Sequence, residues 1–441
     1  MANIHTTTQN NNIQIFEYFV VFLFVIYAGK ASLFVLAIEN WDNPIGLLLP
    51  IISVTILGFT RSVQFNYKFL LLIVGFTIYF VASTIRFGAL HPRFYGINLI
   101  NITITYVLIS GLRFQFFKYY EDILYYLCII ALTFWLIQNI IPSVFIEFLR
   151  NFEFSTQGPI KGNVDFNVIV YTVSNFAKVP DSMINIGNIH LFRNAGFAWE
   201  SGAFATYINM AIFINLIRRK FQLKNNKHLW VLVAALFTTF STTGYSCLVL
   251  LAFFYLYNQD LVKIFVLAPI VTVLTAFFFT LPFMSEKIAN NTEYNTDELI
   301  YMSATLNNTY APQRFQSLQI DFVDFLNSPI IGYGGHLEAR WTNQLGANIP
   351  TVSGIGNMMA QFGLVGLIFF LVSLWYSSKQ IMILYNIKGI IFPVLFILMI
   401  SISYSVLKIL FMSIWLLYVS SFLKTQVIHI YKINELLKNY S

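Results

Sequence analysis

LWVLVAALFTTFSTTGYSCLVLLAFFYLY, residues 229–257, runs its whole length without a charged side chain. A helix needs about 20 apolar residues to cross a hydrocarbon core of roughly 30 Å, so the run is long for one span and short for two. The Ser/Thr cluster at 238–243, followed by Gly244, marks a break inside it. The stretch therefore reads as one long helix, a re-entrant pair or two short spans. The cluster either lines a polar cavity or only satisfies local backbone groups.

Apolar runs of this kind recur on both sides. The 441-residue chain is 57% hydrophobic and only 10% charged, against roughly 25% charged residues in a soluble domain. The fold class expected is all-α, a polytopic membrane helical bundle forming a single domain over 1–441 with about twelve transmembrane helices. Spans are placed at 15–37, 44–60, 67–85, 94–112, 122–141, 198–217, 228–242, 243–258, 262–283, 354–376, 389–405 and 407–423. The opening MANIHTTTQNNN has neither the basic start nor the small-residue cleavage site of a signal peptide, so the first span is expected to stay as a signal anchor. Cys128 and Cys247 both lie in apolar runs, and no disulfide is expected.

The net charge of +7 does not point to nucleic acid, because the basic residues are scattered over short loops and not gathered in one patch. Their scatter follows topology. With the N-terminus inside, alternate short segments hold Arg61, Lys68, Arg113, Lys118, the group Arg218, Arg219, Lys220, Lys224 and Lys227, and then Lys263, Lys379 and Lys388, while most acids fall in the other loops. The positive-inside rule then puts two long loops, 142–197 and 284–353, on the outer face. Loops of that length are uncommon without a role.

Several chemistries leave no trace. There is no P-loop, no GxGxxG before a soluble helix and no GxSxG elbow, and GYGGH by itself signals a loop. The six histidines and the acids show no HExxH or other tight ligand spacing, so no metal or other cofactor is expected.

What remains is arginine, carboxylate, tyrosine and histidine at the membrane mouth. In HLFRNAGFAWESGAFATYINMAIFINL, residues 190–216, Arg193 and Glu200 stand seven apart where a span begins. If 193–200 continued the helix, both would face one side, since seven residues is close to two turns. A carboxylate there is costly unless it works, or unless it neutralises an arginine in the headgroup layer. Arginine suits phosphate because its planar fork stays charged and grips two oxygens. Arg314 in the second loop offers another. His336 and Arg340, four apart, share a face if helical, although a loop histidine beside an acid is commonly just solvated. Asp321 and Asp324 in DFVDFL read as the wet side of an amphipathic turn whose phenylalanines rest on the membrane.

Four stretches resemble the polysaccharide polymerases of the O-antigen type, the Wzy family, and more distantly the O-antigen ligases. They are FRNAGFAWESGAFATYI (192–208), TTFSTTGYSCLVLLAFFYL (238–256), QRFQSLQIDFVDFLNSPIIGYG (313–334) and NMMAQFGLVGLIFFLVSLW (357–375). Each is loose, and their order carries the likeness, which is confined to 190–376. The resemblance implies a GT-C-like glycosyltransferase of the inner membrane that needs no metal or nucleotide sugar. Its donor would be an oligosaccharide on undecaprenyl pyrophosphate, its acceptor another lipid-linked repeat unit, and a chain-length regulator protein a possible partner. Carried over, Arg193 and Arg314 hold the pyrophosphate. General-base candidates are Glu200, then His336, then Asp321. Ligases carry a histidine about where Val352 and Ser353 stand, which favours a polymerase. A lipid-linked oligosaccharide flippase or transporter is the alternative. It calls for charges inside the spans, where Lys30 and Lys408 are almost the only ones. A membrane scaffold is a third reading.

Overall fold

The computed structural model describes residues 11–28, 45–113, 115–150, 153–157, 163–167, 183–186, 189–198, 200–260, parts of 262–273, 296–306, 312, 314–347 and 349–404. The described elements in chain order are α1 (Asn11–Ala28), α2 (Ile45–Thr60), α3 (Tyr67–Phe87), α4 (Pro92–Leu112), α5 (Gln115–Ile140) and α6 (Pro142–Arg150). Two antiparallel hairpins follow, β1 (Glu153–Gln157) with β2 (Asn163–Asn167) and β3 (Met183–Ile186) with β4 (Ile189–Phe192). Next come α7 (Ser201–Arg218), α8 (Lys227–Thr238), α9 (Thr242–Tyr257), α10 (Thr296–Leu306) and α11 (Arg314–Asn327). A 3-10 turn (Leu337–Ala339), α12 (Trp341–Gln344), α13 (Gly354–Tyr385) and α14 (Ile391–Ser403) complete the described chain.

The architecture is a helical bundle, but the count of twelve spans is corrected. Among the described residues four helices, α3, α4, α5 and α13, are long and apolar enough to cross a membrane. Five further apolar segments, in α1, α2, α8, α9 and α14, are shorter than a full crossing. Hydropathy marks apolar runs, while turns set helix length. The run 229–257 is two helices, because Ser241 caps α9 by accepting from Gly244 N at 3.1 Å and Phe240 sits at φ +47°. The expected span at 407–423, Lys30, Lys408 and most of 262–283 lie outside the described residues, as do large parts of 142–197 and 284–313.

α7 is the centre of the bundle, buried from Ser201 to Ile217 and packed on α5, α8 and α9. Among its buried polar side chains Asn209 Nδ2 donates to Ala205 O and Gly244 O, while Asn209 Oδ1 has no partner among the described residues. By contrast α3 turns Leu71, Val74, Ile78, Val81 and Ile85 outward, all at least half exposed or nearly so. An apolar stripe of that length has no place in water and fits lipid.

Contacts sort the helix ends into two groups. At one end Glu17 takes Arg61 and the Tyr119 hydroxyl, and Glu121 takes Arg218, Asn215 Nδ2 and His228. These buried carboxylates were not foreseen as interior charges. At the opposite end Trp135 Nε1 donates to Phe192 O, and Asn194 N to Thr238 O. The segment after α11 is keyed into that same end.

That key is a break in α13. Gly363 has φ 63° and ψ −160°, and the chain at 329–334 runs beside the gap. Leu364 N donates to Pro329 O, Val365 N to Ile330 O, Tyr333 N to Ala360 O and Gly334 N to Gln361 O. Backbone groups freed by a broken helix are thus satisfied by protein. Gly332, at φ +66°, and Gly363 admit the approach, since a Cβ on either would stand about 2.4–2.5 Å from opposing backbone.

Candidate anion site at the mouth of the bundle

Arg193 follows β4 directly and reaches the break between α8 and α9. Its Nε donates to Thr239 O at 3.3 Å and its Nη2 to Phe240 O at 3.1 Å, so the guanidinium caps carbonyls that the end of α8 leaves unpaired. This uses two of the five N–H groups of an arginine. Burial pushes its pKa below the usual guanidinium range, Glu200 pulls it back and Arg314 adds to the depression.

Glu200 does not continue a helix from Arg193. Residues 193–198 form a turn, and Glu200 is the extended N-cap of α7, at φ −153°. The seven-residue spacing argument therefore fails, yet the two side chains still meet within electrostatic reach because β4 and the turn fold back over α7. Gly196, at φ +52° and against the Phe204 ring, makes that turn possible.

Arg314 arrives from the other long loop as the first residue of α11. Its Nη1 donates to Ser403 O at 2.7 Å and its Nη2 to the Tyr404 hydroxyl at 3.2 Å, with the guanidinium 4.8 Å above the Tyr404 ring. Glu200 Oε1 lies 3.6 Å from Nη2 and accepts the Tyr404 hydroxyl at 2.6 Å. The Arg314 and Glu200 side chains keep 36% and 44% of their surface open, so the cluster faces outward.

Helix ends add to the charge. The N-terminus of α7 carries Glu200, and α9 begins beside it, with Thr243 Oγ1 2.8 Å from Ser403 Oγ. Gly354 at the start of α13 lies so close to Tyr404 that a Cβ would meet its backbone at 2.2 Å. The N-terminus of α7 and two arginines meet at one carboxylate, and the starts of α9 and α13 pack on Ser403 and Tyr404 beside it, an arrangement that attracts anions.

The other two base candidates lie elsewhere. Asp321 is fully buried, and Arg340 Nη2 is 3.4 Å from its Oδ1. Asp324, also buried, takes Arg340 Nε at 2.9 Å and Trp341 N at 2.8 Å. The expected wet face is inverted, since the acids of α11 point in, drawn to Arg340, while Phe315, Phe322 and Leu326 are about half exposed. His336 is buried against Phe87 and His91 and does not share a helix face with Arg340. Burial, and then His91, push its imidazole below the usual range, partly opposed by Glu338.

Tyr404 and Ser403 are the members that residue patterns did not single out. The chain has 25 tyrosines, and nothing in the residue pattern marks Tyr404. An apolar cleft of about 500 Å³ between α3, α4 and α13, lined by Leu72, Phe76, Tyr79, Asn98, Phe362 and Phe369 among others, includes none of the cluster. No family model matches the chain, and no curated protein is similar to it.

Proposed function

We propose that the chain is a polysaccharide polymerase of the O-antigen type, a membrane glycosyltransferase that moves a glycan from undecaprenyl pyrophosphate onto a lipid-linked repeat unit. The observation that carries this reading is the meeting of Arg193 and Arg314, from two separate loops, beside one carboxylate. In the proposed orientation the N-terminus is cytoplasmic and residues 142–197 and 284–353 face the periplasm.

The chemistry follows from the groups present. The acceptor hydroxyl loses its proton to Glu200 as its oxygen bonds to the anomeric carbon, and the anomeric bond to the pyrophosphate oxygen breaks. Negative charge then grows on the leaving pyrophosphate, opposite Arg193 and Arg314, where fixed donors stabilise it. Tyr404 holds the Glu200 carboxylate in place. Arg193 and Arg314 rest on carbonyls and a phenol more than on acids, which leaves their charge for a ligand.

The test is a polymerisation assay with purified protein and a lipid-linked repeat unit. Ladders of growing polymer support the reading, and movement of the lipid-linked unit across a vesicle bilayer without elongation would replace it with the flippase. The buried Glu17 and Glu121 are the feature that favours that second reading, though each is paired with an arginine at the opposite end of the bundle.

A further inference from the structure

Beyond the arginine cluster, His91, His336 and Glu338 meet where the turn after α3 touches the segment before α12. His91 Nε2 lies 3.3 Å from Glu338 Oε1, and His336 Nδ1 lies 3.4 Å from the same oxygen. All three ligand atoms fall within 4.8 Å of one another. His336 is only 2% exposed, and its Nδ1 has no hydrogen-bond partner among the described residues, the approach of Glu338 being too poor in geometry to make one. A buried imidazole nitrogen left in this state is unfavourable unless something binds it.

We propose that His91 Nε2, His336 Nδ1 and the Glu338 carboxylate form a site for a divalent transition metal of the zinc class, with a fourth position open to solvent. Zinc bonds of about 2.0–2.1 Å at tetrahedral angles hold neighbouring ligand atoms about 3.4 Å apart. The two separations to Glu338 match that edge and are long for hydrogen bonds. Two imidazoles and one carboxylate suit zinc and its neighbours, whereas calcium and magnesium ask for more oxygen.

The surroundings are built to hold the ligands. The His336 ring packs 4.5 Å from the Phe87 ring and meets His91 edge-on at 4.3 Å. Gly335 lets the segment come down onto α4, since a Cβ there would stand 2.7 Å from Phe94 Cβ and 3.2 Å from His91 Cβ. Glu338 keeps 63% of its side chain exposed, which provides the way in. A bound ion ties the α3–α4 turn to the segment that carries Arg340. The proposed glycosyl transfer does not pass through it.

The experiment uses the full chain purified in detergent through an affinity tag without histidine, stripped with a chelator and titrated with zinc against a chromophoric competitor. One equivalent of zinc should bind and raise the thermal midpoint, and magnesium should not compete. His336→Ala and Glu338→Gln should each weaken binding about 100-fold or more, since even outer-shell changes cost 10–100-fold. His336→Ala removes a buried ring and can fail to fold, so Glu338→Gln, on an exposed side chain, is the decisive variant. Absence of saturable zinc binding by the wild-type chain overturns the proposal, and so does wild-type affinity in Glu338→Gln.

Discussion

The Tyr404 hydroxyl donates to Glu200 Oε1 across 2.6 Å, joining the end of α14 to the first turn of α7. With Arg314 on the same phenol, the bond makes Tyr404 the hinge between a cation and a carboxylate. A hydrogen bond to a charged group is worth about 1.5–3 kcal/mol, which corresponds to roughly ten- to hundredfold in rate if it is needed for turnover. Tyr404→Phe should fall in that range. Glu200→Gln should bind lipid-linked donor normally yet lose about 10²-fold or more, the scale of acid–base help. Single-turnover transfer with donor binding followed separately distinguishes the two. Near wild-type transfer by Glu200→Gln would make the carboxylate a partner for arginine only.

Arg193→Ala and Arg314→Ala should each nearly abolish polymer at normal protein levels. Lysine at either position should restore activity in part, because a point charge replaces a two-pronged donor. Arg193→Ala should also lower stability by about 1 kcal/mol, through loss of its hydrogen bonds to the end of α8. Polymer ladders on gels and thermal unfolding are the readouts. Wild-type ladders from both alanine variants would remove the pyrophosphate assignment.

Arg340 is the counter-charge for two buried acids. Arg340→Ala strands Asp321 and Asp324 and should cost about 3–5 kcal/mol, as breaking a buried pair does. Transfer per folded molecule should stay close to wild type, measured by activity normalised to protein recovered after size exclusion. A large loss in rate with unchanged stability would return Asp321 to the list of bases.

Gly332→Ala and Gly363→Ala should each destabilise the chain by at least about 1–3 kcal/mol, the range for a side chain forced into a sparsely populated backbone region. Here opposing backbone at about 2.4–2.5 Å adds to the strain. Detergent-phase unfolding curves measure it, and unchanged midpoints for both would argue against the interlock of α13 with residues 329–334.

Alkaline phosphatase fused at residue 224 should be inactive, and at residue 300 active. The reverse pattern would invert the orientation and move the arginine site to the cytoplasmic face.

Arg193 and Glu200 were legible because each is a charge at the edge of an apolar run, where its cost is visible without knowing the fold, and Arg314 because it is an arginine in the second long loop. Their meeting was not legible in the right way. The helical spacing proposed for Arg193 and Glu200 does not exist, and the turn at Gly196 brings them near each other instead. Tyr404 is silent in sequence, since a tyrosine at a span end is ordinary until Arg314 and Glu200 arrive from elsewhere. His336 stood out in the sequence as a candidate base, but its nearness to His91 did not, because it depends on the chain at 329–334 lying beside the break in α13. Asp321 and Asp324 carried a misleading signal, because a helix with acids on one face reads as wet on that face unless its partner arginine is known. The break at 239–241 was readable from Ser241 and Gly244, but the length of the flanking helices was not, which is why apolar runs outnumber full crossings.

The inverted face of α11 has a kinetic consequence under the proposed reading. With its acids turned inward and Phe315, Phe322 and Leu326 outward, the helix would on that reading rest its apolar face in the headgroup layer, with Arg314 as its first residue. A prenyl-linked substrate then finds the arginines by drifting sideways within its own leaflet, a two-dimensional search that never requires the lipid tail to leave the membrane. A water-soluble pyrophosphate sugar lacking that tail would have to come from the bulk, and would gain nothing from the confinement.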